Sequence, residues 1–409
     1  MARILMKILH TSDWHLGQYF MMKTREAEHF AFLNWLVEII KEQNIDALIV
    51  AGDIFDSSAP PSYARKLYSD FIVKLQATAC KQLIIVSGNH DSVAVLNESK
   101  SLLSALNVSV LAGLSENLKD HLVTLKDNQA QDAAIVCALP FLRAGDVMSS
   151  EAGLSAEQKQ KNLQQGIEQT YQNIYQLAQA QCQDKPLPII ATGHLSTVGC
   201  SVSESERDIY IGTLSAFPAA LFPKFDYIAL GHLHRSQKVQ KSDIIRYSGS
   251  PIPLSFGESN HAKQVMIIDF SASHNADVTS INIPIFQTLL VISGDLDSVS
   301  NALIRLKLTS PEQSVWVEVK LNQSFYVSDV QSQLNSLIED SLIEILKISS
   351  PKINENSQWQ ENEKITLDAL TPIDLFEHRL QREETLSGED QADLKALFVE
   401  ACIAVEDKA

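Results

Sequence analysis

The sequence predicts an α/β protein in which helices flank a sandwich of central β-sheets, followed by an α+β module and a pair of C-terminal helices. Short apolar runs that alternate with amphipathic helices predict the sandwich. A change of pattern near residue 280 predicts the module, and an apolar stripe close to the C-terminus predicts the helix pair. The chain has 409 residues, which is enough for two or three domains.

Composition restricts the class of protein. The chain is 45% apolar, yet no apolar run reaches the length of a membrane span, and its start leads into a strand with polar residues. We therefore expect a soluble cytoplasmic protein without a signal peptide. The five cysteines are scattered and contain no C-x-x-C pair, which argues against a disulfide framework and against a thiolate zinc site.

Negative charge is concentrated in the last third of the chain. The net charge is −17, of which residues 1–270 carry −4 and residues 271–409 carry −13. An acidic segment is unsuited to phosphate binding, which requires Lys and Arg. In the first part, bound metal cations are expected to neutralise several of the acidic groups.

Five apolar runs end in the same way, with Asp, Asn or His just after a glycine or a small residue. The residues that follow the five runs are Asp13 and His15; Asp53 and Asp56; Asn89, His90 and Asp91; His194; and His232 and His234. A single Asn-His-Asp could be a turn followed by a helix cap. Five runs with one pattern instead predict that the side chains converge at one edge of a sheet as a metal site.

The types of ligand indicate the metal. Carboxylates, an amide oxygen and imidazoles without a thiolate favour Mn²⁺, although Fe²⁺, Zn²⁺ and Mg²⁺ are compatible. Seven candidate ligands exceed the needs of one ion, and two ions about 3.5–4 Å apart form a clamp for hydrolysis of phosphate esters. The other six histidines lack this context and are interpreted as structural or solvated: His10, His29, His121, His261, His274 and His378.

The order of the motifs resembles that of the calcineurin-like binuclear metallophosphoesterases. The motifs D-x-H, G-D-x-x-D, G-N-H-D, a later G-H and a final G-H-x-H occur in that order. Longer segments, among them "GNHDSVAVLNES" and "IIATGHLSTVG", are similar to those of bacterial DNA nucleases that act with an SbcC-type ATPase. The resemblance is dense over residues 4–258 and weaker beyond.

This resemblance implies roles for individual residues. It implies that one ion is held by Asp13, His15, Asp53 and His234. It implies that the second ion is held by Asp53, Asn89, His194 and His232, so that Asp53 bridges the two. His90 would then be no ligand but a group beside the scissile phosphate, which stabilises the transition state or protonates the leaving oxygen.

Asp56 occupies a position where some relatives have His, whereas the phosphatase branch has an Asp that holds the imidazole of the next motif. The prediction for this chain is that Asp56 fixes the tautomer of His90 and raises its basicity. The alternative is that Asp56 caps the turn or helix that follows.

The remaining elements are mainly scaffold. Amphipathic helices are predicted over residues 25–40, 62–75 and 162–179. The predicted domains are a nuclease domain at 1–275, an α+β module at 276–350 and a linker with two helices at 351–409. The module has no catalytic constellation and is either a packing domain or, by the resemblance, a cap that shapes a DNA-binding groove.

The C-terminal helices are predicted at residues 372–382 and 389–405. The second has an apolar stripe of Leu394, Leu397, Phe398, Ala401 and Val405. Such a helix pair either folds back on its own chain or docks on a partner.

Together with these features, the resemblance implies a Mn²⁺-dependent nuclease that cleaves DNA as a double-strand exonuclease and as a single-strand or hairpin endonuclease. The resemblance implies a role in DNA end processing, repair and recombination, an SbcC-type ATPase as partner, and a homodimer of the nuclease subunit. Two alternatives remain, a phosphodiesterase or phosphoprotein phosphatase with the same metals, and a DNA-end-binding scaffold.

Overall fold

The computed structural model describes residues 4–148, 154–182, 185–201, 206, 216–271, 275–323, 327–351, 394–395 and 397–398. The chain divides into two compact units, Met1–Pro351 and Lys352–Ala409. In the second unit the four described residues are helical. The rest of the predicted linker and helix pair lies outside the described residues. Among the described helices, none has both the length and the apolar character needed to cross a bilayer.

The strands, in chain order, are β1 (Ile4–Thr11), β2 (Tyr19–Phe20), β3 (Lys23–Thr24), β4 (Ala47–Ala51), β5 (Gln82–Val86), β6 (Val108–Leu111), β7 (Leu122–Lys126), β8 (Asp132–Cys137), β9 (Ile189–His194), β10 (Tyr227–Gly231), β11 (Gln237–Lys238), β12 (Ile245–Tyr247), β13 (Gln264–Ser271), β14 (Ala276–Asn282), β15 (Thr288–Gly294), β16 (Val315–Leu321) and β17 (Ile343–Ser349). The α-helices are α1 (Glu26–Glu42), α2 (Ser62–Gln76), α3 (Val93–Asn97), α4 (Lys100–Ser104), α5 (Ala144–Val147), α6 (Ala156–Gln181), α7 (Leu296–Leu308) and α8 (Val327–Leu337).

Two six-stranded sheets form the central sandwich. The first has the order β14-β13-β1-β4-β5-β6, with β1, β4, β5 and β6 parallel. The second has the order β11-β12-β10-β9-β8-β7, with β12, β10, β9 and β8 parallel. One apolar cluster combines residues of both sheets, and two others join each sheet to its own helices. The result is a four-layer sandwich, which confirms the predicted fold class.

The two-residue period of a strand explains how the sheets are covered on both faces. In β1, Met6 and Ile8 lie in the cluster between the sheets, whereas Leu9 lies in the cluster shared with α1 and α2. Outside the second sheet, α6 buries a stripe of Leu163, Ile167, Tyr171, Ile174 and Ala178. This helix begins six residues before the predicted start at 162, because Ser155 and Gln158 form a capping box at its N-terminus.

The α+β module has the predicted order of elements, strand, helix, strand, helix, strand. Its sheet β15-β16-β17 is parallel throughout, and α7 and α8 are the crossovers. One predicted boundary needs correction. Strand β14 pairs antiparallel with β13 in the first sheet, so the sandwich continues past residue 275 to Asn282.

The module packs against the sandwich through the β2–β3 hairpin. The ring of Phe20 stacks on Trp316 with centroids 5.8 Å apart and an interplanar angle of 10°. The buried guanidinium of Arg25 lies over both rings, 5.0 Å from the Phe20 centroid and 5.6 Å from the Trp316 centroid. The N–H of Gln18 donates to the carbonyl oxygen of His15, and Arg25 donates to the side chain of Gln18, so this contact is linked to the loop that carries His15.

Candidate metal centre

The predicted ligands follow strands from both sheets. Strands β1, β4 and β5 of the first sheet and β9 and β10 of the second run into the segments that carry them. Across the two sheets, Asp53 Oδ2 lies 3.2 Å from His194 Nε2. The carboxyl ends of the strands thus bring together side chains that are far apart in the chain.

Two buried carboxylates form the middle of the cluster. Asp13 is 0% exposed and Asp53 is 1% exposed. His15 Nε2 lies 3.5 Å from Asp53 Oδ2, and His194 Nδ1 lies 4.0 Å from Asp13 Oδ1. Ligand atoms of Asp13, His15 and His234 all lie within 4.8 Å of one another, as do those of Asp13, Asp53 and His194.

Asn89 completes the second half of the cluster. Its Oδ1 lies 3.0 Å from His194 Nε2 and 3.3 Å from His232 Nδ1. The structure therefore brings all seven predicted ligands into one cluster, in two overlapping groups. The two groups of three share Asp13, whereas the ligand sets that the resemblance implies share Asp53, so the division of the ligands between two ions stays a prediction.

The backbone at the ligands is strained in a way that aims the side chains inward. Positive φ angles occur at Asp13 (53°), His15 (47°), Asp53 (49°) and His232 (97°). L-residues avoid this left-handed region, which is populated where surrounding structure enforces it, often at functional sites.

Neighbouring glycines make room for the ligands. A Cβ atom at Gly52 would overlap the ring of His194, and one at Gly88 would overlap the carboxylate of Asp53. A Cβ at Gly231 would overlap the carbonyl oxygen of Ala51. The glycines of the G-D, G-N and final G-H motifs are thus required by close packing beside the cluster.

His90 lies beside the cluster and is held by main-chain atoms. Its ring is 4.7 Å from that of His15, and its Nδ1 lies 2.7 Å from the carbonyl oxygen of Asp56. The carboxylate of Asp56 instead lies 3.2 Å from His15 Nδ1. A carboxylate oxygen of Asp56 also lies within 4.8 Å of a ring nitrogen of His90, so the predicted dyad stays a prediction. Asp56 orients His90 through its carbonyl, while its carboxylate holds a predicted metal ligand.

Asp91, the third residue of the Asn-His-Asp turn, braces the loops. It is buried and accepts hydrogen bonds from the backbone N–H groups of Gly88 (2.8 Å), Phe55 (3.0 Å) and Ile54 (3.1 Å). It thereby joins the turn that carries Asn89 to the turn that carries Asp53.

Electrostatics of the cluster favour added positive charge. Burial opposes the charged form of His194, but Asp53 and Asp13 outweigh burial and raise its pKa to about 9. Burial, reinforced by the neighbouring charge of His194, lowers the pKa of His232 to about 3. Burial also raises the pKa of Asp13. Buried carboxylates that draw protons onto a neighbouring imidazole form a site for cations.

The residues present fit divalent metal ions. Nε2 of His15 is buried and has no hydrogen-bond partner among the residues that the structure describes. Carboxylate, amide and imidazole donors without a thiolate match a borderline-hard divalent ion. Asp13, His15 and His234 would hold one ion. His194 and the donors around it, Asp53 and Asn89, would hold the other.

Sequence reasoning missed several residues that support the ligands. Ser12 Oγ lies 2.5 Å from Asp13 Oδ2, and the N–H of His234 donates to Glu206 Oε1 at 2.5 Å. Glu258 and Lys263 form a buried ion pair behind His234. The strand-end pattern singled out none of them, because it selects only Asp, Asn and His just after a glycine or a small residue.

Comparisons with known proteins agree with this geometry. The family model described as calcineurin-like phosphoesterase matches residues 6–236. A second family model, described as type 5 capsule protein repressor C-terminal domain, matches residues 285–384.

Several curated relatives are named as SbcD, a subunit of the nuclease SbcCD. The chain is 44% identical to that of Escherichia coli K12 over 393 residues, which cover 96% of this chain and 97% of the relative. It is 38% identical to that of Rhodobacter capsulatus over 65% of this chain and 67% of the relative. Identity to that of Bacillus subtilis is 26%, over 98% of this chain and 99% of the relative.

Proposed function

This chain belongs to the calcineurin-like phosphoesterase family and, within it, to the SbcD nuclease family, and on that basis we propose that it is a Mn²⁺-dependent DNA nuclease acting with an SbcC-type ATPase. It is a metal-dependent phosphodiester hydrolase with a candidate site for divalent ions. The observation that supports the proposal best is the convergence of two buried carboxylates with five other ligand side chains across the two sheets.

The proposed ligand roles come from the resemblance, and the cluster brings the side chains together. Asp13, His15 and His234 would hold one ion, Asn89, His194 and His232 would hold the other, and Asp53 would contribute to both. Two divalent ions bound there would supply Lewis acidity toward a phosphodiester and its attacking water. The Asp53 carboxylate is buried, which keeps competing water away from its oxygens and so strengthens their attraction to a cation.

His90 is proposed as the group that serves the leaving oxygen. Because the Asp56 carbonyl only accepts hydrogen bonds, His90 Nδ1 carries a proton. Proton transfer to a substrate then falls to Nε2. The ring is only partly buried, as a group that meets a substrate must be.

The substrate is proposed to be DNA. The chain would act on it as a double-strand exonuclease and as a single-strand or hairpin endonuclease, in end processing and repair. The proposal is supported by the near full-length similarity to relatives named as nucleases. A phosphatase or general phosphodiesterase with the same metals is the rival.

One assay separates these functions. The purified chain is incubated with Mn²⁺ and either labelled DNA or bis-p-nitrophenyl phosphate, with EDTA as control. Mn²⁺-dependent DNA products support the nuclease. Hydrolysis of the small ester without any DNA product would support the rival, and DNA binding without cleavage would support a scaffold.

A homodimer of the chain is proposed from the resemblance, with the exposed apolar surface of α2, α3 and α4 as its candidate interface. Val73 and Leu102 are each 67% exposed beside a groove lined by Tyr68 and Leu103. An exposed apolar surface of this kind is typical of protein interfaces. Leu102→Glu should convert a dimer to a monomer in light scattering, and a wild-type chain that is monomeric at micromolar concentration would refute the dimer.

The ATPase is proposed to bind the acidic C-terminal segment, residues 366–405, with Leu394, Leu397, Phe398 and Val405 as anchors. Leu394 and Leu397 are 38% and 62% exposed.

We also propose the cytoplasm as the location, since that is where bacterial DNA is processed.

A further inference from the structure

A buried Glu–Lys pair lies directly behind the predicted ligand His234. Glu258 is 1% exposed and Lys263 is 7% exposed. Glu258 Oε2 accepts a hydrogen bond of 2.6 Å from Lys263 Nζ, and Glu258 Oε1 lies 3.6 Å from His234 Nδ1. Because desolvation offsets most of the attraction between two buried charges, a buried ion pair adds little net stability, and this pair requires another explanation.

The pair contacts His234 on two sides. Lys263 Nζ donates to the carbonyl oxygen of His234 at 3.0 Å and to Ser250 Oγ at 2.7 Å. The N–H of Ser250 donates to the same carbonyl at 3.1 Å. Glu258 therefore faces the ring of His234, while Lys263 holds its main chain.

Glu258 also closes the loop that leads to it. The N–H of Leu254 donates to Glu258 Oε2 at 3.2 Å, and Ser255 Oγ lies 3.4 Å from Glu258 Oε1. These contacts fix the carboxylate within the loop, so that its position relative to His234 is set by the fold rather than by a flexible side chain.

We propose that Glu258 is a positioning residue for His234, with Lys263 as its hydrogen-bonded partner. With Nδ1 facing a carboxylate, His234 presents Nε2 to the cluster. A carboxylate behind a ligating histidine fixes its orientation and strengthens it as a ligand. This inference rests on the proposed function, because it requires His234 to hold one of the two ions.

The test is Mn²⁺ binding by calorimetry and elemental analysis, with the fold checked by thermal unfolding in EDTA. The double variant Glu258→Gln/Lys263→Met removes both charges together and so leaves no unpaired buried charge. We expect one of the two ions to bind roughly 10–100-fold more weakly. Hydrolysis of bis-p-nitrophenyl phosphate should recover at high Mn²⁺, since the catalytic groups are unchanged.

The matched control is Glu318→Gln/Lys347→Met. It removes another buried glutamate with a lysine partner, at 2.7 Å in the α+β module, and should leave affinity for both ions unchanged. A folded Glu258→Gln/Lys263→Met protein that binds both ions with wild-type affinity would overturn the inference. A wild-type chain that binds no Mn²⁺ would instead overturn the proposed function.

A second variant covers the case in which the double variant does not fold. Glu258→Asp keeps the charge but draws the carboxylate away from the His234 ring by one methylene. Weaker binding of one ion is expected here as well, and unchanged affinity would contradict the positioning role.

Discussion

The carboxylate of Asp56 lies 3.2 Å from Nδ1 of His15, and the backbone carbonyl of the same Asp56 is hydrogen-bonded to Nδ1 of His90. One residue thus orients both the predicted ligand and the predicted acid, by different atoms. Burial opposes the charged form of His15, but the Asp56 hydrogen bond and nearby Asp53 outweigh it and raise the pKa of His15. The two functions of Asp56 can therefore be separated by mutation.

Asp56→Asn should weaken Mn²⁺ binding roughly tenfold or more, because a carboxylate behind a metal-bound histidine strengthens it as a ligand. At saturating Mn²⁺ the turnover should stay within a few-fold of wild type, because the carbonyl that holds His90 is retained. Titration of activity against Mn²⁺ measures both quantities. A large loss of turnover at saturating metal with unchanged affinity would support the Asp56–His90 dyad instead.

Asp53→Ala should abolish hydrolysis while the fold is retained, because it removes the proposed bridge between the two ions. His194→Ala should do the same. Elemental analysis after dialysis and circular dichroism accompany the activity assay. Near-wild-type turnover of Asp53→Ala with two bound ions would show that the ligand assignment is wrong.

His90→Gln should keep both ions and lose turnover by roughly 10²–10⁴-fold, which is the usual contribution of a positioned proton donor. The loss should be smaller for a substrate with a good leaving group, such as a p-nitrophenyl ester, than for DNA. If the variant lacks one ion, His90 is a ligand and its proposed role fails.

Stability without metal should fall as pH decreases below about 6.5. Burial lowers the pKa of His10 and of His29 to about 3, whereas the ordinary value is 6.5. Between these values the unfolded chain takes up a proton at each ring and the folded chain does not. Each histidine therefore reduces the free energy of unfolding by about 1.4 kcal/mol per pH unit.

Urea unfolding in EDTA at pH 7.5, 6.5 and 5.5 measures this dependence. His10→Gln and His29→Gln should each make it shallower, and both together more so. An unchanged dependence in the double variant would show that neither ring is neutral in the folded chain.

Truncation at about residue 360 should spare Mn²⁺ binding and cleavage of simple single-stranded DNA, because the metal cluster lies entirely within residues 13–234. It should abolish co-purification with the ATPase and ATP-dependent activity on duplex ends. Full assembly of the truncated chain with the ATPase would refute the assignment of residues 366–405 to ATPase binding. Its collapse would show that the tail packs on its own chain.

Much of the candidate site could be predicted from the sequence because its ligands follow a local rule. Each motif consists of an apolar strand, a glycine or small residue, and then Asp, Asn or His. All of it lies within a few consecutive residues, so it can be recognised in the sequence. Gly88 and Asn89 of the third motif are an example. The helices α1 and α2 were likewise predicted to within two residues, since their apolar stripes are local patterns.

Contacts between distant segments were not predictable in this way. Strand β14 joins the first sheet although the sequence pattern assigns residues from 276 onward to the module, because β13 offers it a ladder of backbone hydrogen bonds. Glu258 and Lys263 carry no motif, and their role follows only from their burial together behind His234.

The sequence by itself determined which residues form the cluster, because the polar group after each strand is set by neighbours along the chain. Only the tertiary structure decided how those residues are paired. Asp56 is 34 residues from His90 and 41 from His15, and the sequence alone favours neither partner. The choice depends on how the turns after β1, β4 and β5 are braced, and that is set by buried hydrogen bonds such as those of Asp91, whose loss would leave unpaired polar groups in the core.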